Sequence, residues 1–483
     1  MLIVDNKMNR KLEYVMGTYY LAIDIGASSG RHMLGQIHDG KLELEEIYRF
    51  SNEMENQNGT LCWDIERLFQ EILNGLNECG RIGKVPSYMG IDTWAVDFVL
   101  IDENDQLLGN AVGYRDTRTE GMDQLVYEKI PLTDLYERTG IQKQIFNTIY
   151  QLMAVKTEQP KLLERAESLL MIPEYFNFLL TGVKKAEYTN ATSTQLVNTK
   201  SKDWDFELME LLGYPTEIFE KIGQPGESVG FFTGAIQKEI GFNCEVLLPA
   251  THDTASAVVA VPSNQDDTLY LSSGTWSLMG IERLAPDCSL ESMSYNFTNE
   301  GGYDFRYRYL KNIMGLWMIQ SLKKELNDDY SFAELCELAK QSSITSIVDC
   351  QDERFLAPHS MIVAIQGYCK EKGLQVPYEV GDLAAVIYNS LADCYGQVVS
   401  EIEEMTGRNY PAIHIIGGGA NADYLNEMTA KRTGKDVFAG PTEATAIGNI
   451  AVQMLATGVF GDLKEARQCI YDSFEIKHYK GEN

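Results

Sequence analysis

The residue of this chain best placed to do chemistry is Asp253, within LPATHDTASAVVAV at residues 248–261. An Ala/Val-rich run that begins at Ala255 predicts a buried helix just after it. A carboxylate at the mouth of such a helix can act as a general base toward a substrate hydroxyl, and His252 and Thr254 add hydrogen-bonding groups beside it. The alternative is an N-cap aspartate, which saturates the first helical amides and does no chemistry.

A strand that ends in a small polar turn, YYLAIDIGASSG at residues 19–30, offers a place for phosphate. Alternating apolar residues predict a strand that breaks at Gly26. The backbone amides of residues 27–30 can then point at an anion, because a turn of small residues lets a ligand approach the main chain. Asp24 stays on the strand, where its carboxylate can bind a magnesium-bound water.

Two later turns predict a second phosphate-binding region. TLYLSSGTWS at residues 268–277 repeats the pattern of strand, small turn and strand, which indicates two related halves, and its Thr275 supplies a hydroxyl. The strand Ile413 to Ile416 runs into GGGA at residues 417–420, where glycines permit close approach of a nucleotide. A glycine triplet alone is weak evidence. The chain contains no GxxxxGK[ST] motif, so it is not a P-loop protein.

The segment GIDTWAVDFVLID at residues 90–102 predicts a buried strand that ends in polar residues. The side chains expected where this sheet edge opens into a cleft are Asp92, Trp94, Ala95 and Asp97. Carboxylates accept hydrogen bonds from hydroxyls and an aromatic ring covers C–H faces, so this lining is typical of a sugar site. A solvated hairpin with a core tryptophan explains the same pattern equally well.

The elements that must position these groups are predicted from periodicity. Apolar spacing predicts a helix capped by Asp64 and a long helix that ends at Gly407. Two further strands, residues 32–37 and 41–50, complete a meander after the first. The polar run YTNATSTQLVN at residues 188–198 is predicted to be a loop or an edge strand.

Composition limits the classes of function. The chain has 483 residues, too many for one hydrophobic core, and a formal charge of −29, which argues against nucleic acid or an anionic membrane as a partner. A polyanionic substrate must therefore be met locally, by amides and a divalent cation. Nine scattered cysteines without a CxxC pair suit reduced thiols in the cytoplasm, and no apolar run has membrane-spanning length. Residues 1–17 are expected to be an extension ahead of the fold.

Eight stretches together resemble the FGGY carbohydrate kinases, in order from about residue 20 to residue 450: IDIGASSGR, GIDTWAVDFVLID, YRDTRT, YTNATSTQLVN, THDTASAV, YLSSGTWSLMG, KNIMGLW and GGGAN. The resemblance implies an α/β fold of two actin-like, ribonuclease H-like ATPase domains facing a central cleft. The sugar-binding domain with the first phosphate loop is expected at residues 18–262, and the nucleotide-binding domain at residues 263–475. The implied reaction is transfer of phosphate from ATP, with Mg²⁺, to the C1 hydroxyl of L-rhamnulose, with L-fuculose as the alternative sugar.

The resemblance also assigns individual residues. It makes Asp253 the proton acceptor and places ATP against Ala27, Ser28, Ser29, Gly30, Arg31, Thr275, Gln320 and Gly418. It places the sugar against Ala95, His252, Asp253, Thr254 and Asn312. Ala95 departs from the pattern, because close relatives tend to carry glycine there, and its methyl group can crowd the ketose.

Two other classes of protein share parts of this pattern. An actin-like ATPase would use both phosphate turns without a sugar pocket. A sugar sensor without catalysis would lack Asp24 or Asp253, and both are present. The kinase is the preferred hypothesis, as a monomer or small homo-oligomer that acts on a ketose and ATP in the cytoplasm.

Overall fold

The computed structural model describes residues 17–265, 268–356 and 358–481, so the predicted N-terminal extension lies outside them apart from Gly17. The chain divides into two compact α/β units. Unit 1 contains the residues up to 260 together with 283–308 and 445–473. Unit 2 contains residues 261–282 and 309–444 and the residues from 474 onward. The domain boundary between residues 262 and 263 stays a prediction.

The strands, in chain order, are β1 Tyr20–Ile25, β2 Ser29–His38, β3 Lys41–Ser51, β4 Met54–Gln57, β5 Thr60–Trp63, β6 Tyr88–Thr93, β7 Phe98–Ile101, β8 Ala111–Val112, β9 Ser168–Met171, β10 Ala186–Glu187, β11 Val197–Asn198, β12 Asp203–Trp204, β13 Ile222–Gly223, β14 Ser228–Phe231, β15 Glu245–Leu247, β16 Leu269–Ser273, β17 Trp276–Arg283, β18 Thr298–Gly301, β19 Tyr307–Met314, β20 Ala412–Ile416, β21 Asp436–Ala439 and β22 Lys477–Tyr479.

The α-helices are α1 Ile65–Arg81, α2 Met122–Tyr127, α3 Leu132–Thr139, α4 Thr148–Glu158, α5 Pro160–Arg165, α6 Ile172–Thr181, α7 Tyr188–Ser193, α8 Phe206–Leu212, α9 Gly234–Ile240, α10 Asp253–Val259, α11 Leu290–Ser294, α12 Trp317–Glu325, α13 Phe332–Gln341, α14 Met361–Glu371, α15 Val380–Thr406, α16 Asp423–Thr433, α17 Ala444–Ala456 and α18 Leu463–Ser473. None of the helices in the described ranges combines the length and the apolar character that a bilayer crossing requires.

The main sheet of unit 1 has the strand order β14-β15-β6-β1-β2-β3. Strand β1 pairs antiparallel with β2 and parallel with β6, and β6 in turn pairs parallel with β15. All six residues of β1 are buried, as expected for a central strand covered on both faces. The carboxyl ends of β1, β6 and β15 therefore meet at one edge of the sheet, which is where α/β sheets bind ligands.

Helix α1 begins as predicted. The Asp64 carboxylate accepts a hydrogen bond from the backbone N–H of Arg67 and so satisfies one of the amides that lack a helical partner. The predicted apolar stripe, which includes Leu68 and Ile72, is buried in the same core as β1 and β6. The predicted long helix is also confirmed, since α15 ends at Gly407, which adopts the left-handed conformation of a helix C-cap.

The main sheet of unit 2 arranges its strands in the order β19-β17-β16-β20-β21-β22. Strand β16 pairs antiparallel with β17 and parallel with β20, and β20 pairs parallel with β21. These pairings match those of β1 with β2 and β6, and of β6 with β15. The predicted repeat of strand, small turn and strand in the two halves is therefore confirmed at the level of sheet topology.

The prediction of a loop or edge strand for the whole of residues 188–198 is wrong. Residues 188–193 form α7, and only Val197–Asn198 is a short strand. The helix forms because the Glu187 carboxylate accepts hydrogen bonds from the backbone N–H groups of Thr189 and Asn190, which replaces the serine or threonine cap that local sequence usually signals.

Leu68→Ala tests the energetic role of the α1 stripe. Leu68 is fully buried, so truncation should lower the free energy of unfolding of unit 1 by about 2–5 kcal/mol through lost apolar burial and a residual cavity. Urea titration followed by circular dichroism measures the change. The exposed Gln70→Ala on the same helix is the matched control and should shift stability by less than about 0.5 kcal/mol. Equal effects of the two changes would contradict a core role for this face.

Candidate active site

Two carboxylates meet at the carboxyl edge of the unit 1 sheet. The parallel register of β1 and β6 pairs Asp24 directly with Asp92, so both side chains lie at neighbouring strand ends. Arg31, opposite Asp24 on β2, donates from Nε and Nη2 to Asp24 Oδ2 at 3.0 and 2.9 Å. Asp24 is therefore held by a charge-assisted pair that fixes its direction.

Asp92 is fully buried, and its hydrogen-bond partner among the described residues is a neutral amide. Its Oδ2 accepts a hydrogen bond from Asn449 Nδ2 on α17 at 2.5 Å, whereas its Oδ1 has no partner among the described residues. Burial and the negative charge of Asp24 hold the pKa of Asp92 well above its usual range. This edge of the sheet therefore carries more negative charge than its protein partners neutralise.

Asp253 lies beside these two carboxylates. After β15 the chain returns to the sheet edge, where the backbone N–H of Thr93 donates to Thr251 O at 2.9 Å and His252 forms a parallel bridge with Thr93. The Asp253 side chain is 31% exposed, and its Oδ1 accepts a hydrogen bond from the Thr254 hydroxyl at 3.1 Å. Burial, and secondarily the charge of Asp24, raise the pKa of Asp253 to about 6.

The alternative role for Asp253 as an N-cap does not match the helix that follows. Helix α10 begins at Asp253 itself, two residues earlier than the apolar run predicts, and the cap position is His252, whose side chain makes no capping bond. Asp253 thus occupies the first turn, where the helix dipole favours a carboxylate, and its Oδ1 accepts a bond from the backbone N–H of the next residue, Thr254, at 2.5 Å. Both bonds from Thr254 go to Oδ1, which leaves Oδ2 for a ligand.

His252 is buried and bonded on the side away from Asp253. Its Nδ1 lies 3.0 Å from Arg308 Nη2, and its Nε2 lies 3.6 Å from Asp253 Oδ1. Arg308 also pairs with Glu300 at 2.9 Å. Burial, and secondarily the positive charge of Arg308, hold the pKa of His252 well below its usual range. The lowered pKa favours the neutral form of the ring next to Asp253.

Glu187 is a site residue that sequence reasoning missed. Its carboxylate accepts hydrogen bonds from the backbone N–H and hydroxyl of Thr251 at 3.1 and 2.6 Å, besides capping α7. Thr189 on that helix in turn accepts a hydrogen bond from the His252 backbone N–H at 3.2 Å. One buried carboxylate thus fixes the segment that carries His252 and Asp253. Its local sequence, AEYTN, gives no sign of this distant partner.

The predicted phosphate turn is built as a tight hairpin between β1 and β2. The Gly26 N–H donates to Ser29 O at 2.9 Å, and Asn52, just after β3, holds the turn by donating from Nδ2 to Gly26 O at 2.8 Å. Ser28 at the tip is exposed, with Ala27 half-buried beside it. The turn residues assigned to ATP therefore lie on an accessible hairpin that starts one residue beyond the Asp24 strand.

Only part of the predicted sugar-lining segment is free to contact a ligand. Asp97 is 1% exposed and accepts hydrogen bonds from Trp63, Trp94, Gln151 and the Tyr114 backbone, so its carboxylate holds this turn together instead of offering an acceptor to a sugar.

Ala95, in contrast, is half-buried, and it precedes Val96 in a left-handed conformation with φ of 67°. Hydrogen bonds hold Val96 there, from its N–H to Ser193 Oγ and from Thr148 Oγ1 to its carbonyl.

The second phosphate region lies in unit 2. Between β16 and β17 the Gly274 N–H donates to Trp276 O at 2.9 Å, which closes a tight turn, and the Thr275 hydroxyl donates to Gln320 Oε1 at 3.3 Å. Thr275 and Gln320, two residues assigned to ATP and 45 positions apart in the chain, are therefore brought together. Asn312, assigned to the sugar, is half-buried on β19 of this unit, whereas the other assigned sugar contacts belong to unit 1.

Glycine is required on steric grounds at two positions of the triplet after β20. Gly417 has φ of +81°, and a side chain at Gly419 would collide with Ser273. Gly418 between them is exposed, with open space where a Cβ would project. A ligand can therefore approach the main chain at Gly418, which suits the predicted contact with a nucleotide.

The carboxylates at the sheet edge bear on the predicted role of Asp24, which is to hold a cation through water. No group of three or more His, Cys, Asp or Glu side chains within residues 17–265, 268–356 and 358–481 could hold a metal ion directly. Both bonds that Arg31 donates to Asp24 reach Oδ2, which leaves Oδ1 for a water molecule. Together with the unpartnered Asp92 Oδ1, the donor set fits a cation carried by phosphate and contacted through water.

Two family models match the chain. The model for the N-terminal domain of the FGGY family of carbohydrate kinases matches residues 19–260, and the model for its C-terminal domain matches residues 269–457. The chain is 52% identical to the rhamnulokinase of Oceanobacillus iheyensis over 459 residues, 95% of this chain and 97% of that protein. It is also 52% identical to the rhamnulokinase of Halalkalibacterium halodurans over 461 residues, 95% and 98% of the two chains.

Solved structures share the fold. Gluconate kinase from Lactobacillus acidophilus superposes with a TM-score of 0.80 at 18% identity, covering 96% of this chain and 94% of that one. Xylulose kinase from the same organism gives a TM-score of 0.80 at 17% identity with the same coverage. The predicted fold class, two α/β domains of the actin-like ATPase type, is therefore confirmed.

The raised pKa of Asp253 predicts a pH-dependent stability. The ordinary pKa of 3.8 applies in the unfolded chain and a pKa of about 6 in the folded one, so the contribution of Asp253 to stability is complete below pH 3.8 and is lost as pH rises through 6. Asp253→Asn removes this loss. The stability of the variant relative to wild type should therefore increase from pH 4 to pH 7 and then level off, as measured by urea unfolding at each pH.

The control for this measurement is Asp39→Asn, an exposed aspartate in the turn between β2 and β3. It removes one exposed carboxylate away from the sheet edge, so the profile of Asp253→Asn is compared with that of this variant. A constant difference between the two profiles would show that the Asp253 carboxyl titrates as in the unfolded chain.

Proposed function

Because the chain belongs to the FGGY family of carbohydrate kinases, we propose that it transfers the γ-phosphoryl group of ATP to the C1 hydroxyl of L-rhamnulose, giving L-rhamnulose 1-phosphate and ADP in L-rhamnose catabolism. The choice of sugar follows rhamnulokinases that are 52% identical over 95% of the chain. The observation that carries the reaction type is Asp253, an accessible carboxyl with a pKa of about 6 at the carboxyl edge of the sheet.

Asp253 is the general base of this reaction. With a pKa of about 6 it is ionised at neutral pH, yet it is more basic than an ordinary aspartate. The C1 hydroxyl gives its proton to Asp253 as the O1 electron pair forms a bond to the γ-phosphorus. The bond from that phosphorus to the bridging oxygen breaks, and its electron pair leaves with ADP. Thr254, which donates to Oδ1, orients the base.

The remaining contacts divide between the two units. In unit 1 we assign to ATP the hairpin residues Ala27, Ser28, Ser29, Gly30 and Arg31, and in unit 2 Thr275, Gln320 and Gly418. We assign to the sugar Ala95, His252 and Thr254 in unit 1 and Asn312 in unit 2. The supporting observations are the accessible hairpin tip, the bond between Thr275 and Gln320, and the open space at Gly418.

Magnesium is the cation that we propose to accompany ATP. When bound, it neutralises charge on the phosphates as the phosphoryl group is transferred. Asp24 would hold it through water from Oδ1, while Arg31 keeps the carboxylate directed. Its positive charge would also offset the negative charge of Asp24, which, after burial, raises the pKa of Asp92 and Asp253.

We further propose that the enzyme works in the cytoplasm as a monomer or a small homo-oligomer. The support for this location is the scattered, unpaired cysteine pattern of the sequence, which is typical of proteins in a reducing compartment. Size-exclusion chromatography with light scattering determines the number of subunits directly.

Substrate choice is tested with a coupled assay of ADP release over L-rhamnulose, L-fuculose, L-xylulose, D-xylulose, L-ribulose and glycerol. We expect the highest kcat/KM for L-rhamnulose, with a sugar 1-phosphate as product by NMR. A preference for L-fuculose would retain the kinase and change the sugar. ATP hydrolysis that no sugar stimulates would instead support an actin-like ATPase.

Asp253→Asn tests the role of the base. The amide keeps the shape and hydrogen-bonding capacity of the side chain but cannot take the proton, so kcat should fall ~10²–10⁴-fold with sugar affinity near that of wild type. Steady-state kinetics give kcat, and isothermal titration with the sugar gives affinity. Asp39→Asn should leave both unchanged. Turnover of Asp253→Asn within tenfold of wild type would remove Asp253 from the chemistry.

A further inference from the structure

A buried arginine on β19, Arg308, contacts His252, the residue that precedes the proposed base. The Arg308 side chain is 0% exposed, and an arginine so placed must be paired, because burying an unpaired charge is very costly. Its Nη2 lies 2.9 Å from Glu300 Oε2 on β18, and its Nε donates to the Gly301 carbonyl at 2.8 Å. The same Nη2 lies 3.0 Å from His252 Nδ1.

This last contact determines where His252 carries its proton. A guanidinium can only donate hydrogen bonds and does not lose its proton in proteins. The Nδ1 of His252 must therefore present its lone pair to Arg308, and in the neutral ring the single proton then resides on Nε2. Nε2 is the nitrogen that lies 3.6 Å from Asp253 Oδ1.

We propose that Arg308 is a positioning residue for phosphoryl transfer: by donating to Nδ1 it keeps the proton of His252 on Nε2, the ring nitrogen that faces Asp253. The role in turnover rests on the proposed function, whereas the position of the proton can be measured without turnover. The Nε2–H group then serves as a neutral donor for a sugar oxygen next to the hydroxyl that Asp253 deprotonates.

The other two protonation states of the His252 ring would make Asp253 a poorer base. A ring with its proton on Nδ1 would turn the Nε2 lone pair toward the Asp253 carboxylate and repel it. A doubly protonated ring would place a positive charge beside Asp253, which would stabilise the ionised carboxylate and so lower its pKa and its basicity. Arg308 excludes both states by occupying Nδ1 with a donor.

Glu300 makes this arrangement testable, because it competes for the same nitrogen. Its Oε2 lies 3.4 Å from His252 Nδ1 and would accept a proton from it. Removing Arg308 alone leaves Glu300 as a buried carboxylate beside Nδ1, so the ring should take a proton there. Removing the charge of Glu300 as well should return the ring to the neutral state.

Other charged and titratable groups around Asp253 and His252 are unchanged in these variants, so a shift can be assigned to Arg308 and Glu300. They are Asp24 on β1, Arg31 on β2, Asp92 on β6 and Tyr114 in the segment after β8.

The first measurement is long-range ¹H–¹⁵N NMR of the full-length protein labelled with ¹⁵N-histidine, with the His252 signals assigned from a His252→Gln spectrum. Between pH 6 and 8 the wild type should show a neutral ring protonated at Nε2. Arg308→Met should show a proton on Nδ1, and Arg308→Met combined with Glu300→Gln should show a neutral ring again. An unchanged ring in Arg308→Met overturns the proposal.

The second measurement is the pH profile of kcat with L-rhamnulose. For Arg308→Met we expect kcat to fall roughly 10- to 100-fold, the range found when the partner that orients a functional histidine is removed. KM should change less, and the acid limb near pH 6 should move to lower pH. The double variant should return the limb toward 6. A uniform loss of rate without movement of the limb would indicate a purely structural role for Arg308 and would overturn the proposal.

Two more conservative variants test the same contact if Arg308→Met does not fold. Arg308→Lys retains a donor and Glu300→Gln leaves Arg308 in place, so both should keep the wild-type proton position, and a switch to Nδ1 in Glu300→Gln would overturn the proposal. The two hypotheses also fail separately: if no ketose is phosphorylated, the proposed function is wrong, and the NMR result still decides the role of Arg308.

Discussion

Mutual repulsion among three carboxylates is the constraint on which the rest of unit 1 depends. Asp24 and Asp92 lie near the ends of the parallel strands β1 and β6, and the bridge between Thr93 and His252 brings the first turn of α10, with Asp253, to the same edge. Such a cluster can be tolerated only where each member has a partner or shares a proton. Arg31 supplies the charge for Asp24 and Asn449 a hydrogen bond for Asp92. Burial, and secondarily the charge of Asp24, raise the pKa of both Asp92 and Asp253, and this suits the edge to a cation and to proton transfer.

Sequence patterns predicted the secondary structure correctly where the stabilising interaction is local. The strand and turn around Gly26, the cap at Asp64 and the helix end at Gly407 each depend on residues a few positions apart, and all three are confirmed. The failures involve distant partners. Helix α7 depends on the Glu187 carboxylate, which also bonds Thr251, 64 positions away, and no periodicity reports such a contact.

The same limit explains why the pattern around Asp97 left two interpretations open. Asp97 has the residue type and spacing of a sugar ligand, but donors from Trp63 and Gln151, far away in the chain, already engage it. The pairing of Arg308 with Glu300 and His252 is invisible in sequence for the same reason. The two sheets share their topology but differ in the residues at matching positions. The register that pairs Asp24 with Asp92 in unit 1 pairs Ser272 with Ile416 in unit 2, so these two positions carry no carboxylate there.

Val96 holds a strained backbone conformation in the turn that follows Ala95. A β-branched residue in the left-handed region is strained by something of the order of 1–3 kcal/mol, and here bonds to Ser193 and from Thr148 hold it in place. Glycine or asparagine would relax that backbone at once. Replacing Val96 would therefore be one route to a more heat-resistant protein. The same replacement would make the turn less rigid, and the neighbouring methyl group of Ala95 would then be less firmly positioned.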